Sequence, residues 1–153
     1  MRLLFAVLAC GWAIALPLAP LGNRPDALLP GSLLSQVVYA AGAAVCHQQP
    51  ARSFALAGVP LPVCARCTGI YAGAAAAVLM AGLRRRRAAA ARSPRDTQMV
   101  FAAAAAPIIL TVAIEMVTGA VPSGLIRAAS GVPMGAAVAW TVLAFPRNAG
   151  QSG

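Results

Sequence analysis

The residues able to do chemistry crowd into one stretch. Three of the four cysteines and the only histidine fall within positions 46–67. They stand in Cys46-His47-Gln48-Gln49-Pro50-Ala51-Arg52-Ser53-Phe54 and in Pro62-Val63-Cys64-Ala65-Arg66-Cys67-Thr68-Gly69. A Cys-x-x-Cys spacing sets two sulfurs on one side of a turn or helix start, which suits a shared metal or a reversible disulfide. Cys46 and His47 add two candidate ligands. All four would make a tetrahedral Cys3His site. Side chains of adjacent residues diverge, so a three-ligand site with an open position, of the catalytic or transferring kind, fits equally well. Soft sulfur ligands point to zinc or copper(I). Two other readings stay open. Outside the cytoplasm thiols tend to oxidise, and Cys64 with Cys67 could exchange electrons at a helix end, where the dipole and Arg66 lower a thiol pKa. Alternatively, a fixed disulfide pins the loop and His47 only hydrogen-bonds a carbonyl. Haem attachment is disfavoured, because Thr68 and not histidine follows Cys67. Cys10, alone in an apolar run, reads as a small packing residue.

A second feature points to the same place. Glu115 and Arg127 flank a turn centred near Val121, six residues to either side. At 1.5 Å per residue both lie roughly 9 Å below it on antiparallel helices. Opposite charges at matched depth in lipid should pair, since either alone costs several kcal/mol. The pair is either structural or functional. In the functional reading Glu115 is a catalytic proton acceptor or an extra ligand, and Arg127 anchors an anion. Arg52 and Arg66 add positive charge at the mouth.

These residues resemble a known family. The segment from Cys46 to Phe54, followed by Pro62-Val63-Cys64-Ala65-Arg66-Cys67-Thr68-Gly69-Ile70-Tyr71-Ala72-Gly73, is similar to the small prokaryotic predicted membrane proteins of domain-of-unknown-function family 2085. A weaker similarity, the acid at Glu115 with Arg127-x-x-x-Gly131-x-x-x-Gly135, extends it to about residue 140. Aspartate is usual at the acidic position, so Glu115 is a conservative departure. The resemblance implies an integral membrane protein and no known activity.

The elements that must position these groups are membrane helices. The 153 residues include 38 alanines, 12 arginines, no lysine and three acids; 60% are apolar and 10% charged. A soluble domain carries roughly 25% charge, and a disordered chain far less apolar content. The expected fold is all-α: a polytopic transmembrane bundle of four or five helices in a single domain over residues 1–147, with a short tail at 148–153. A helix needs roughly 20 apolar residues to cross a bilayer. Runs at 3–21, 68–83, 99–119 and 125–145 qualify. The run at 28–46, interrupted by Pro30, Gly31, Ser32, Ser35 and Gln36, either spans or lies re-entrant. The second clear run can borrow residues from 59–67. The first run is read as a retained helix rather than a cleaved signal, because the apolar part before Cys10 is too short.

Six of the twelve arginines, Arg84–Arg87, Arg92 and Arg95, sit between two apolar runs with no interleaved aromatic residue. That argues against nucleic acid and for a cytoplasmic loop at 84–98, which could also bind anionic lipid headgroups. With that loop inside, eight arginines lie inside and four outside for either four or five crossings, and the Cys/His segment is extracytoplasmic. The expected location is the bacterial inner membrane. Gly69 and Gly73, continued by Ala77 and Ala81, and Gly131 and Gly135, continued by Ala139, let helices approach closely. They are read as contacts within the bundle, with a homo-oligomer as the alternative. The chain has no lysine to complete a phosphate-binding loop and too few acids for a paired-carboxylate site. No reaction follows from these residues alone.

Overall fold

The computed structural model describes residues 2–22, 32–83 and 94–144. Most of the basic 84–98 loop, with Arg84–Arg87 and Arg92, lies outside the described residues, as do Arg24, Arg147 and the 148–153 tail.

Among the described residues five α-helices form, and their lengths follow from the apolar runs. Helix α1 (Arg2–Gly22) and helix α2 (Leu33–Val45) come first, then a 3-10 turn (Pro50–Arg52) and a hairpin of strands β1 (Ala55–Leu56) and β2 (Val59–Pro60). Helices α3 (Ala65–Leu83), α4 (Pro94–Thr118) and α5 (Gly124–Ala144) follow. Four of them, α1, α3, α4 and α5, are long and apolar enough to cross a membrane. Helix α2 has 13 residues; at 1.5 Å each it reaches about 20 Å, short of a hydrocarbon core of about 30 Å. The uncertain run is therefore a short helix. Ser32 caps it by accepting from the Ser35 amide. The Ser35 hydroxyl donates to the Ala19 carbonyl at 2.8 Å, one of the last-turn carbonyls of α1 that lack a partner in their own helix.

Two helices begin earlier than hydropathy alone suggests. Helix α3 starts at Ala65, because the Thr68 amide already donates to the Cys64 carbonyl at 2.9 Å. Helix α4 starts at Pro94, where the fixed φ and missing N–H of proline suit a first helical position.

Helix α3 packs most extensively on α5; α4 leans on α5, and α1 on α3 and α2. The closeness of α3 and α5 is a glycine effect. A Cβ at Gly69 or Gly73 would overlap the carbonyls of Ala128 or Val132, and one at Gly131 or Gly135 those of Arg66 or Ile70. The two small-residue stripes thus face each other within one chain. Elsewhere, large apolar side chains such as Leu3, Leu4, Leu79, Ile109, Met116 and Leu125 face outward, as lipid-facing surfaces do. Leu16, Ala19, Val38 and Val63 form a small buried core where α1, α2 and the loop before α3 meet.

Among the described residues the hairpin is the one piece of sheet in an otherwise helical chain. Ala57 (φ 51°) and Gly58 (φ 81°) hold positive φ at the centre of its turn, as a type I′ turn requires.

Candidate thiol and guanidinium site

The hairpin folds the segment after α2 back over the start of α3. Its hold on α2 comes from Gln48, itself at φ 45°. The Gln48 side-chain amide donates to the carbonyls of Tyr39 (2.7 Å) and Pro62 (2.8 Å). The Tyr39 hydroxyl donates to the Pro60 carbonyl. Gly42 lies beneath: a Cβ there would strike the Pro62 carbonyl and the Gln48 amide. This clamp brings two distant pieces of chain together. The Cys64 amide donates to Cys46 Sγ at 3.3 Å, and the sulfurs of Cys46, Cys64 and Cys67 all lie within 4.8 Å of one another. All three are half-buried, and all four cysteines are free thiols.

Cys64 immediately precedes α3. Its thiol is lowered from the ordinary range to about 5, first by a hydrogen bond from the Cys67 thiol, then by the Cys67 amide, the Cys46 thiol and the Arg66 amide, against an opposing desolvation. Amides at a helix start and a neighbouring thiol thus favour a thiolate there.

His47 is exposed and lies outside the three-sulfur group. Cys46 is extended (φ −145°, ψ 142°), and successive side chains on extended backbone leave on opposite sides. Cys10 lies on α1, apart from the group.

A cavity of about 430 Å³ opens beside the sulfurs, lined among others by His47, Arg52, Arg66 and Arg127. Glu115 Oε1 accepts from Arg127 Nη2 at 2.8 Å and from Arg52 Nη2 at 2.9 Å. The Arg127 side chain is 4% exposed, that of Glu115 14% and that of Arg52 47%. Arg66 Nη2 donates to Thr111 Oγ1 over a long 3.4 Å. The Nε atoms of Arg66 and Arg127 are buried without a partner. Arg127 and the three cysteines therefore line one cavity, and Glu115 pairs with two of its arginines.

Residue types alone do not mark two contributors, Gln48 as the clamp and Thr111 as the partner of Arg66; Arg52, expected among the charges at the mouth, is the second cation on Glu115. Gln48 sits inside the Cys-His-Gln motif, but nothing in its residue type distinguishes a clamp from a solvated amide.

Comparison with known proteins gives the chain a family. The family described as predicted membrane protein, domain of unknown function 2085, matches residues 46–141, and the chain belongs to it. An uncharacterized protein of Methanothermobacter thermautotrophicus is 57% identical over 30 residues, 20% of this chain and 27% of its own length. An uncharacterized protein of Methanocaldococcus jannaschii is 50% identical over 40 residues, 26% of each chain. The chain thus spans about a quarter of the length of these curated relatives. No solved structure matches it.

Proposed function

We propose that this integral membrane protein holds a soft metal ion, Zn²⁺ or Cu⁺, on the thiolates of Cys46, Cys64 and Cys67, at its extracytoplasmic end. The observation that carries the reading is the gathering of three sulfurs within 4.8 Å from segments 18 residues apart in sequence. Ordinary packing of small half-buried thiols does not require that a hairpin, a two-carbonyl glutamine clamp and a tight glycine all converge on it. Three protein ligands leave a fourth position open, the arrangement of sites that transfer a metal or bind an exchangeable ligand. Sulfur softness selects zinc or copper(I) over hard cations. His47, beside the cavity, is the candidate fourth ligand. Reaching the ion requires it to swing from its exposed position. Glu115 serves here as the counter-charge that positions Arg127 and Arg52, since one oxygen meets both guanidiniums. The basic loop, cytoplasmic by arginine asymmetry, puts the sulfurs on the opposite side.

A second reading has its own support. A Cys64 thiol lowered to about 5 by its Cys67 neighbour suits thiol–disulfide exchange. Cys64 would attack an incoming disulfide, Cys67 would resolve the mixed disulfide, and the incoming partner would leave as two thiols.

Elemental analysis of protein purified without chelator or metal-affinity tag tests the first reading. It predicts about one zinc or copper per chain, lost in Cys64→Ser Cys67→Ser. Metal-free protein with intact helicity removes it. Thiol trapping that catches Cys64 and Cys67 cycling between oxidised and reduced forms would favour exchange instead.

A further inference from the structure

We infer that the cavity beside the sulfurs receives a phosphate-type oxyanion, held by Arg66 together with Arg52 and Arg127. Three arginines line one space of about 430 Å³ from three elements: Arg52 from the 3-10 turn, Arg66 from the first turn of α3 and Arg127 from the first turn of α5. That volume falls within the usual span of ligand sites, about 300–1,000 Å³.

The charges around it do not balance. Among the described residues Glu115 is the one carboxylate at this end, and its Oε1 is shared by Arg127 and Arg52. Asp96, the other described acid, starts α4, about 28 Å along the helix from Glu115 at 1.5 Å per residue. Arg66 faces no carboxylate. Its bond to Thr111 Oγ1 is long at 3.4 Å, and that hydroxyl already donates to the Ile108 carbonyl. The Nε atoms of Arg66 and of the almost wholly buried Arg127 also lack partners. Arg66, half-buried, thus lines the cavity without a carboxylate partner, and a partly desolvated guanidinium favours an anion beside it. Three thiolates around Zn²⁺ would carry a net single negative charge and leave one positive charge unanswered; around Cu⁺ they would carry two and answer both.

The shape of the surplus selects the ligand. Guanidiniums converging from separate elements meet a tetrahedral oxyanion, with an oxygen for each, better than a planar carboxylate, which matches a single fork. The source is either a soluble phosphate compound or a phospholipid headgroup at the membrane surface. The inference adds a ligand class to the thiol site and stands without the metal.

Two arms test it on the full chain. In one, inorganic phosphate is titrated by calorimetry into protein in non-ionic detergent at constant ionic strength. In the other, phosphatidylglycerol retained from nanodiscs is counted by native mass spectrometry. Saturable binding is expected in at least one arm, weakened at least tenfold by Arg66→Gln, partly kept by Arg66→Lys and unchanged by Arg95→Gln. If Arg66→Gln fails to fold, Arg52→Gln, on a half-exposed side chain, carries the comparison with an expected loss of at least threefold. Binding in the phosphate arm assigns a soluble source, binding in the lipid arm alone a headgroup. No binding in either arm, or binding indifferent to both arginines, overturns the inference. Metal content measured on the same samples separates its failure from failure of the metal reading.

Discussion

Glu115→Gln tests the polar wall of the site through stability. The substitution keeps size and one acceptor oxygen but deletes the charge between Arg127 and Arg52. Arg127 is 4% exposed and Glu115 14%, so that bond is sheltered; Arg52 is 47% exposed, so its share is screened. Removing one partner of a buried pair costs about 3–5 kcal/mol, because the other charge stays buried and unanswered. An exposed pair is worth about 0–1 kcal/mol. The retained amide oxygen places Glu115→Gln at the low end, about 3 kcal/mol, and Arg52→Gln below about 1 kcal/mol. Reversible unfolding in mixed micelles, with the fraction of denaturing detergent raised and helicity followed by circular dichroism, reads both. Equal costs for the two variants would refute the assignment of the pair's energy to the buried Arg127 side.

Further outcomes follow from the same geometry. Gly135→Ala should destabilise the bundle or shift α3 away from α5, because its Cβ meets the Ile70 backbone; Gly11→Ala, where nothing lies within 4 Å, should be neutral or stabilise by up to about 1 kcal/mol, and thermal unfolding in detergent compares them. Gln48→Ala removes two part-buried hydrogen bonds to the Tyr39 and Pro62 carbonyls, costing on the order of 1–3 kcal/mol, and should slacken the Cys46–Cys64 approach, seen as faster cysteine alkylation. Gln48→Glu should not rescue it, since a carboxylate cannot donate to either carbonyl. In metal-free protein, alkylation of Cys64 should stay fast down to about pH 5, the value to which its thiol is lowered, whereas an ordinary thiol near about 8.5 slows tenfold per pH unit below that. The sign for stability is the one for a depressed acid: the contribution is fully present above the ordinary thiol pKa and is lost as pH falls through about 5.

What could be read from sequence divides along physical lines. The long helices and the Glu115–Arg127 juxtaposition rest on one-dimensional facts, apolar length and matched depth about a turn, so they were legible. The nearness of Cys64 and Cys67 follows from local spacing. Bringing Cys46 to them does not: it depends on a two-residue turn with Ala57 at positive φ, against its own preference, and on where the Gln48 amide finds its acceptors. His47 looked equivalent to Cys46 in sequence, but extended backbone sends neighbouring side chains apart. Helix α2 was ambiguous because its run mixes apolar residues with Pro30, Gly31 and Ser32; the described helix begins only after Ser32, its N-cap.

X-ray absorption at the zinc and copper edges of protein purified without chelator probes the three-sulfur centre most directly. The expected spectrum has a first shell of about three sulfurs near 2.3 Å for zinc, weakened to fewer sulfurs in Cys46→Ser and unchanged in Cys10→Ser. A folded protein without metal, or a bound ion whose shell contains no sulfur or ignores Cys46, would contradict the proposed centre.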